Sequence, residues 1–210
     1  MPDLKRIPVI PTLVVLVAAA LMVKLGIWQL ARAQWKEALL ARYQAAATQP
    51  PIAYPLVPTG HDLLFRKAEG FCLQPTAWRV EPGRNLAGEM GWRHIAACRT
   101  GAEGPGISVD AGWSRDFAMK PAWSGGKVAG VIAPLPDHRS LIEAMSRRAP
   151  RQATMLVAAT PAAGLQPSAP PSIADIPNNH RAYAVQWFVF AMLALIIYAL
   201  ALRRRLQGPR

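Results

Sequence analysis

Two stretches of this chain stay apolar for longer than a core element requires. Residues 7–30 read IPVIPTLVVLVAAALMVKLGIWQL with a single charge, Lys24, and residues 182–202 read AYAVQWFVFAMLALIIYALAL with none. At about 1.5 Å of rise per residue, each is long enough as a helix to cross a hydrocarbon core of ~30 Å. The pattern then continues past Leu30. Trp28, Arg32, Trp35, Leu39 and Tyr43 recur near one helical face, which predicts that the first helix runs on for several turns beyond the span. The four prolines of TQPPIAYPLVPTG, Thr48 to Gly60, end it, because proline cannot continue a helix.

Between the two runs the period changes. LFRKAEGFCLQ, WRHIAACR, GISVDAGW, KVAGVIA and ATMLVAAT are short strand-like segments set between Gly and Pro. SLIEAMSRR, Ser140 to Arg148, is the one soluble helix expected, with Ser140 and Glu143 as a capping box. TPAAGLQPSAPPSIADIPNN, Thr160 to Asn179, is proline-rich and expected to return extended to the membrane. The fold class is therefore membrane α + β: two transmembrane helices flank a compact, mainly antiparallel β external domain with one short helix. The expected divisions are 1–6 as N-terminal tail, 7–30 as first span and 31–60 as helix extension and Pro-rich linker. The β domain follows over 61–160, the return segment over 161–181, the second span over 182–202 and a basic tail over 203–210.

Charge decides the topology. Arg203, Arg204 and Arg205 follow the second span directly and belong on the cytoplasmic side, so two spans place both termini in the cytoplasm and the central domain in the periplasm. An ARA at Ala31 to Ala33 resembles a signal-peptidase site, but it lies well past an apolar run already at the upper limit for a signal sequence, and an uncleaved anchor is expected. Lys24 is expected to snorkel toward the headgroups. The net charge of +12 does not point to nucleic acid. Much of it sits in the membrane flanks, where the lipid bilayer is partner enough, and residues 43–181 carry 14 Lys and Arg against 10 Asp and Glu, scattered.

Most enzyme classes lack their motifs here: there is no CxxCH, CxxC, HExxH, GxSxG or phosphate-cradling glycine loop. An enzyme on two anchors would have to bring together His61, His94 or His138 with Asp62, Asp110 or Asp116. Cys72 and Cys98 could bridge in an oxidising compartment, but two unpaired small core residues are the preferred expectation. Trp78, Trp92, Trp113 and Trp123 are expected in the β core, and Trp28 and Trp187 at the outer membrane interface. His180 differs in kind. With Tyr183, Ala184, Trp187 and Ala191 it lies along one helical stripe, where small residues would let a flat group approach an imidazole suited to ligate haem iron. On spacing alone an interfacial anchor or helix-capping role is the preferred expectation for it.

LGIWQLARAQWKEALL, Leu25 to Leu40, together with NNHRAYAVQWFVFA, Asn178 to Ala191, resembles the surfeit-locus-one family of cytochrome c oxidase assembly factors. GEMGWRHIAACR and GISVDAGWSRD are similar to strands of that family, although Ala111 stands in place of its usual arginine, Ser114 and Arg115 in place of Val-Pro, and Cys98 in place of proline. The resemblance implies a non-enzymatic inner-membrane factor that brings haem a to the catalytic subunit of the oxidase, in company with the haem a synthesis enzyme. It implies His180 as axial ligand, and Trp28, Gln29 and Arg32 as an opposite wall beside Tyr183 and Trp187, with Arg32 or Arg181 pairing with a propionate. The competing expectation is a haem-independent membrane scaffold that holds oxidase subunits or the haem-synthesis enzyme together.

Overall fold

The computed structural model describes residues 7–57, 59, 61–140, 143 and 153–207, in two compact units. The first joins residues 1–40 with 176–210, and the second is 41–175.

The first unit is a pair of antiparallel helices. α1 runs Val9–Thr48 and α2 runs His180–Gln207. Both contain segments long and apolar enough to cross a membrane. Pro11 falls in the first turn of α1, where a missing N–H costs nothing, and Pro50 and Pro51 follow its end. At the head of α2, Asn179 occupies the N-cap position, its C=O accepting from Tyr183 N–H at 3.2 Å. Arg204 and Arg205 lie in the last turn, where cations suit the helix dipole.

Small residues line the seam. Ala19, Gly26 and Ala33 on α1 and Ala184 and Ala191 on α2 are buried and recur every seven residues, the spacing that keeps one face turned to a neighbouring helix. A Cβ built on Gly26 would stand 2.6 Å from Phe188 Cε1, so only glycine lets that ring lie against the helix. Side chains cross the seam at both ends: the Thr12 and Tyr198 hydroxyls meet near one, and Gln29 meets His180 near the other.

The second unit is one seven-stranded sheet. Its strands are β1 Ile52–Ala53, β2 Lys67–Cys72, β3 Gln74–Arg84, β4 Met90–Arg99, β5 Ile107–Ser114, β6 Gly126–Pro134 and β7 Thr154–Ala158. The order is β1-β2-β6-β7-β5-β4-β3, antiparallel except for the β1–β2 and β5–β7 pairs, so a mainly antiparallel sheet is present in mixed form. β2 and β3 are one chain stretch bent at Leu73: its first half pairs with β6 and its second with β4. The two sides of the sheet thus meet in one bent strand, which closes it as in small Greek-key barrels of the OB type. Val109, Leu156, Ile132 and Ala96 are fully buried within it, and Gly70 leaves room for Ile107, whose Cδ1 would stand 3.1 Å from an added Cβ.

That bend also corrects the expectation of unpaired cysteines. It brings the end of β2 beside β4, and Cys72 and Cys98 form a disulfide across a Cα separation of 5.2 Å. β3 itself is absent from the sequence expectations. Pro75 and Pro82 read as punctuation, yet β3 has β4 as its one strand neighbour, Pro75 falls at an irregularity in that pairing, and most of β3 is exposed. Of the tryptophans expected in the core only Trp113 is fully buried. Trp78 stacks edge-on to Trp123 and Trp92 to Phe117, nearer the surface.

The proline-rich segment after β7 does more than return the chain. Gln166 exchanges backbone bonds with Trp113 at 2.7 and 2.9 Å, Ala162 N–H donates to Ala111 C=O, and Ala162, Leu165 and Ser168 are buried. Gly112, at φ 138°, permits the approach: a Cβ there would lie 2.8 Å from Gln166 O. The expected soluble helix falls mostly outside the described residues. Its cap is present, with Glu143 N–H donating to Ser140 Oγ at 3.3 Å.

Candidate functional site

Asn179 caps α2, so His180 becomes its first helical residue and its imidazole stands at the head of the apolar run. There it meets Gln29 of α1. His180 Nδ1 lies 2.7 Å from Gln29 Oε1. An amide oxygen only accepts, so Nδ1 carries the proton, and in the neutral imidazole Nε2 keeps the lone pair. Metal-ligating histidines use this tautomer, held in place by a hydrogen bond from the other ring nitrogen.

The other expected residues divide around this pair. Arg181 is held by Glu37, Nε to Oε1 at 2.9 Å and Nη2 to Oε2 at 3.0 Å, and so is engaged within the helix pair. Arg32 has no carboxylate partner among the described residues. Its guanidinium rests 4.0 Å from the Trp35 ring centroid, a cation–π contact that leaves its N–H groups available. Trp187 is partly buried and stacks edge-on to Phe190, whereas Tyr183 and Trp28 are 50% and 56% exposed. The structure therefore brings Gln29 to His180 and places Trp28 and Arg32 on the outer flank of α1 rather than opposite the imidazole. Ala184 and Ala191, expected to leave space for a flat ligand, are closed by the helix pairing at 0% and 3% exposure.

Glu37 was absent from the sequence expectations. Gln29, Ala33 and Glu37 follow one another at four-residue spacing, which puts Glu37 on the seam face and is the signal that could have found it.

The β unit gathers no enzymatic constellation from the histidines and carboxylates named above. Among the described residues no three His, Cys, Asp or Glu side chains cluster as metal ligands would. Ser114 Oγ donates to Asp116 C=O at 2.6 Å, so its contact with His94 Nε2 at 2.8 Å is one in which the imidazole donates. His94 is then no base for that hydroxyl. Asp110 turns elsewhere, to Arg93 Nε at 2.6 Å, Ser168 Oγ at 2.9 Å and Gly112 N–H at 3.1 Å. Burial pushes the Asp110 carboxyl up, and the Arg93 guanidinium opposes that shift. His138 Nε2 meets the buried Glu81 at 2.9 Å. A cavity of about 1160 Å³ opens between β1, β2, β6 and residues 158–163, walled mainly by small side chains with Phe71 and Trp123.

No curated protein matches the chain. The sequence profile of the SURF1 family matches residues 16–192, which take in the Gln29–His180 pair and the whole β unit. With that profile covering most of its length, the chain belongs to the SURF1 family, a family of cytochrome c oxidase assembly factors.

Proposed function

We propose that this protein carries haem a to the catalytic subunit of cytochrome c oxidase, with His180 Nε2 as its axial ligand. The observation that supports this is the 2.7 Å hydrogen bond from His180 Nδ1 to Gln29 Oε1, which orients the ring and leaves Nε2 as the nitrogen able to ligate iron. Arg32, free of any carboxylate among the described residues, is the cation suited to a haem propionate, since Arg181 is already paired with Glu37. Tyr183 and Trp187, one and two turns on from His180, flank the position the porphyrin would take.

A carrier must accept its cargo and release it. A single protein ligand at the exposed rim of a two-helix pair suits that cycle better than a buried two-ligand site, and no covalent bond of haem needs to change. The protein acts as a chaperone and not as an enzyme. It works in the inner membrane, with both termini cytoplasmic and the β unit periplasmic, next to the oxidase catalytic subunit and the haem a synthesis enzyme.

The closed seam at Ala184 and Ala191 favours a second possibility, a scaffold that binds those partners without haem. Purification from cells that make haem a separates the two. A Soret band that is lost in His180→Ala, together with a fall in oxidase haem content, supports the carrier. A colourless wild-type protein supports the scaffold, and a spectrum and oxidase haem content unchanged in the variant overturn His180 as the ligand.

A further inference from the structure

Lys24 is the one charge inside the apolar run of α1. The seam side of that helix is marked by Ala19, Gly26, Gln29 and Ala33. At about 100° per residue Lys24 points roughly 160° away from them, on the back of the helix. It is exposed and has no ion-pair partner among the described residues. Val17, Leu21, Trp28, Ala31 and Trp35 share its face at steps of four and three residues, all exposed, so α1 carries a second heptad stripe opposite the one α2 covers.

Depth makes the charge costly. Leu30 is six residues further on, which sets the Lys24 Cα about 9 Å inside the apolar run. Side chains lean toward the N-terminus of their helix, and for Lys24 that lean runs toward the middle of the span, away from the nearer headgroups. Snorkelling, the expectation from sequence, therefore works against the Cα–Cβ direction here. A second copy of the chain does not answer the charge, because residues 7–30 and 182–202 contain no Asp or Glu.

Resting on the assignment of both helices as membrane spans, we propose that the Lys24 face of α1 docks a transmembrane helix of a partner protein that presents a carboxylate at the same depth. The lysine supplies the specific ion pair, and the Val17, Leu21 and Trp28 side chains supply the packing around it. Ionisable groups inside a membrane are retained where they are answered in this way.

The test uses the full chain, donor-labelled, in phosphatidylcholine vesicles with acceptor-labelled polyleucine helices. One helix carries a single Asp about 9 Å from its end, matched to Lys24; one carries the Asp at the opposite end; one is all leucine. Energy transfer should show the depth-matched helix associating roughly tenfold more tightly than the all-leucine helix. Lys24→Met should reduce it to the all-leucine level, and Lys24→Arg should keep most of the preference. Equal association of all three helices with the wild type, or a preference that survives in Lys24→Met, overturns the proposal. So does a preference that disappears when phosphatidylglycerol is added, because an anionic lipid headgroup is then the partner. The haem spectrum of Lys24→Met is expected to match the wild type, so failure here leaves the carrier function untouched, and the reverse also holds.

Discussion

Gln29 Oε1 accepts a hydrogen bond from His180 Nδ1 across 2.7 Å, joining the C-terminal end of the first apolar run to the first residue of the second helix. If this bond prepares Nε2 as a haem ligand, Gln29→Leu should lower haem occupancy by about 10- to 100-fold, the usual cost of losing the group that holds a metal-ligating histidine, whereas His180→Ala should abolish it. The check is Soret absorbance per mole of purified protein at matched haem a supply. Gln29→Glu, which still accepts from Nδ1, should retain the band. Loss of haem in Gln29→Glu to the same degree as in Gln29→Leu would show that the residue acts through packing and not through the acceptor.

Gly26 determines how closely that pair can approach. Gly26→Val would drive side-chain atoms into the Phe188 ring, because even a Cβ lands 2.6 Å from it, and overpacking of this kind costs about 1 to 3 kcal/mol. The helices should separate near His180. Cysteines introduced at Gln29 and His180, whose side chains meet across the seam, in a chain lacking the native pair would then cross-link more slowly. The compensating change Phe188→Ala should restore much of the rate, an effect that a general loss of folding would not show.

The two spans and the β character between them were legible because each rests on a long or repeated local pattern: uninterrupted apolar runs, and short strands between Gly and Pro. β3 was not legible, because its identity depends on a free edge that no local pattern announces, and the disulfide depends on the Leu73 bend that brings β2 beside β4. At the site, His180 and Gln29 stood out through resemblance, while spacing alone left His180 with bland alternatives. The aromatic stripe shows the limit of helical-wheel logic. Ala184 and Ala191 share a face with His180, but small residues on a face invite a neighbouring helix as readily as a ligand, and here the helix occupies it.

The Cys72–Cys98 bridge closes a loop over a sequence separation of 26. Chain entropy puts its contribution at about 3 kcal/mol. A Cys72→Ser, Cys98→Ser double variant of the full chain should therefore unfold its β unit at lower denaturant, followed by Trp113 fluorescence in micelles, since that indole is fully buried. Wild type treated with reductant should fall to the same midpoint. A midpoint unaffected by either change would mean that the barrel is held closed without the bridge.

His94 should give the β unit an acid sensitivity separate from any haem chemistry. Burial pushes its imidazole pKa down, against the pull of Asp110 and Asp116, and in the structure Nε2–H serves Ser114 while Nδ1 is buried without a partner. The folded state therefore takes up a proton there less readily than the unfolded chain does. Stability is unaffected by this group above its unfolded pKa of about 6.5 and declines as pH falls below that value, by at most about 1.4 kcal/mol per pH unit, until the lowered folded-state pKa is reached. Denaturant midpoints measured from pH 8 down to 5 should show the decline in wild type. His94→Gln can still donate to Ser114 but does not titrate, so its profile should be flatter through that window even if its midpoint at pH 8 is lower. Parallel profiles for the two proteins would assign the acid sensitivity to other groups.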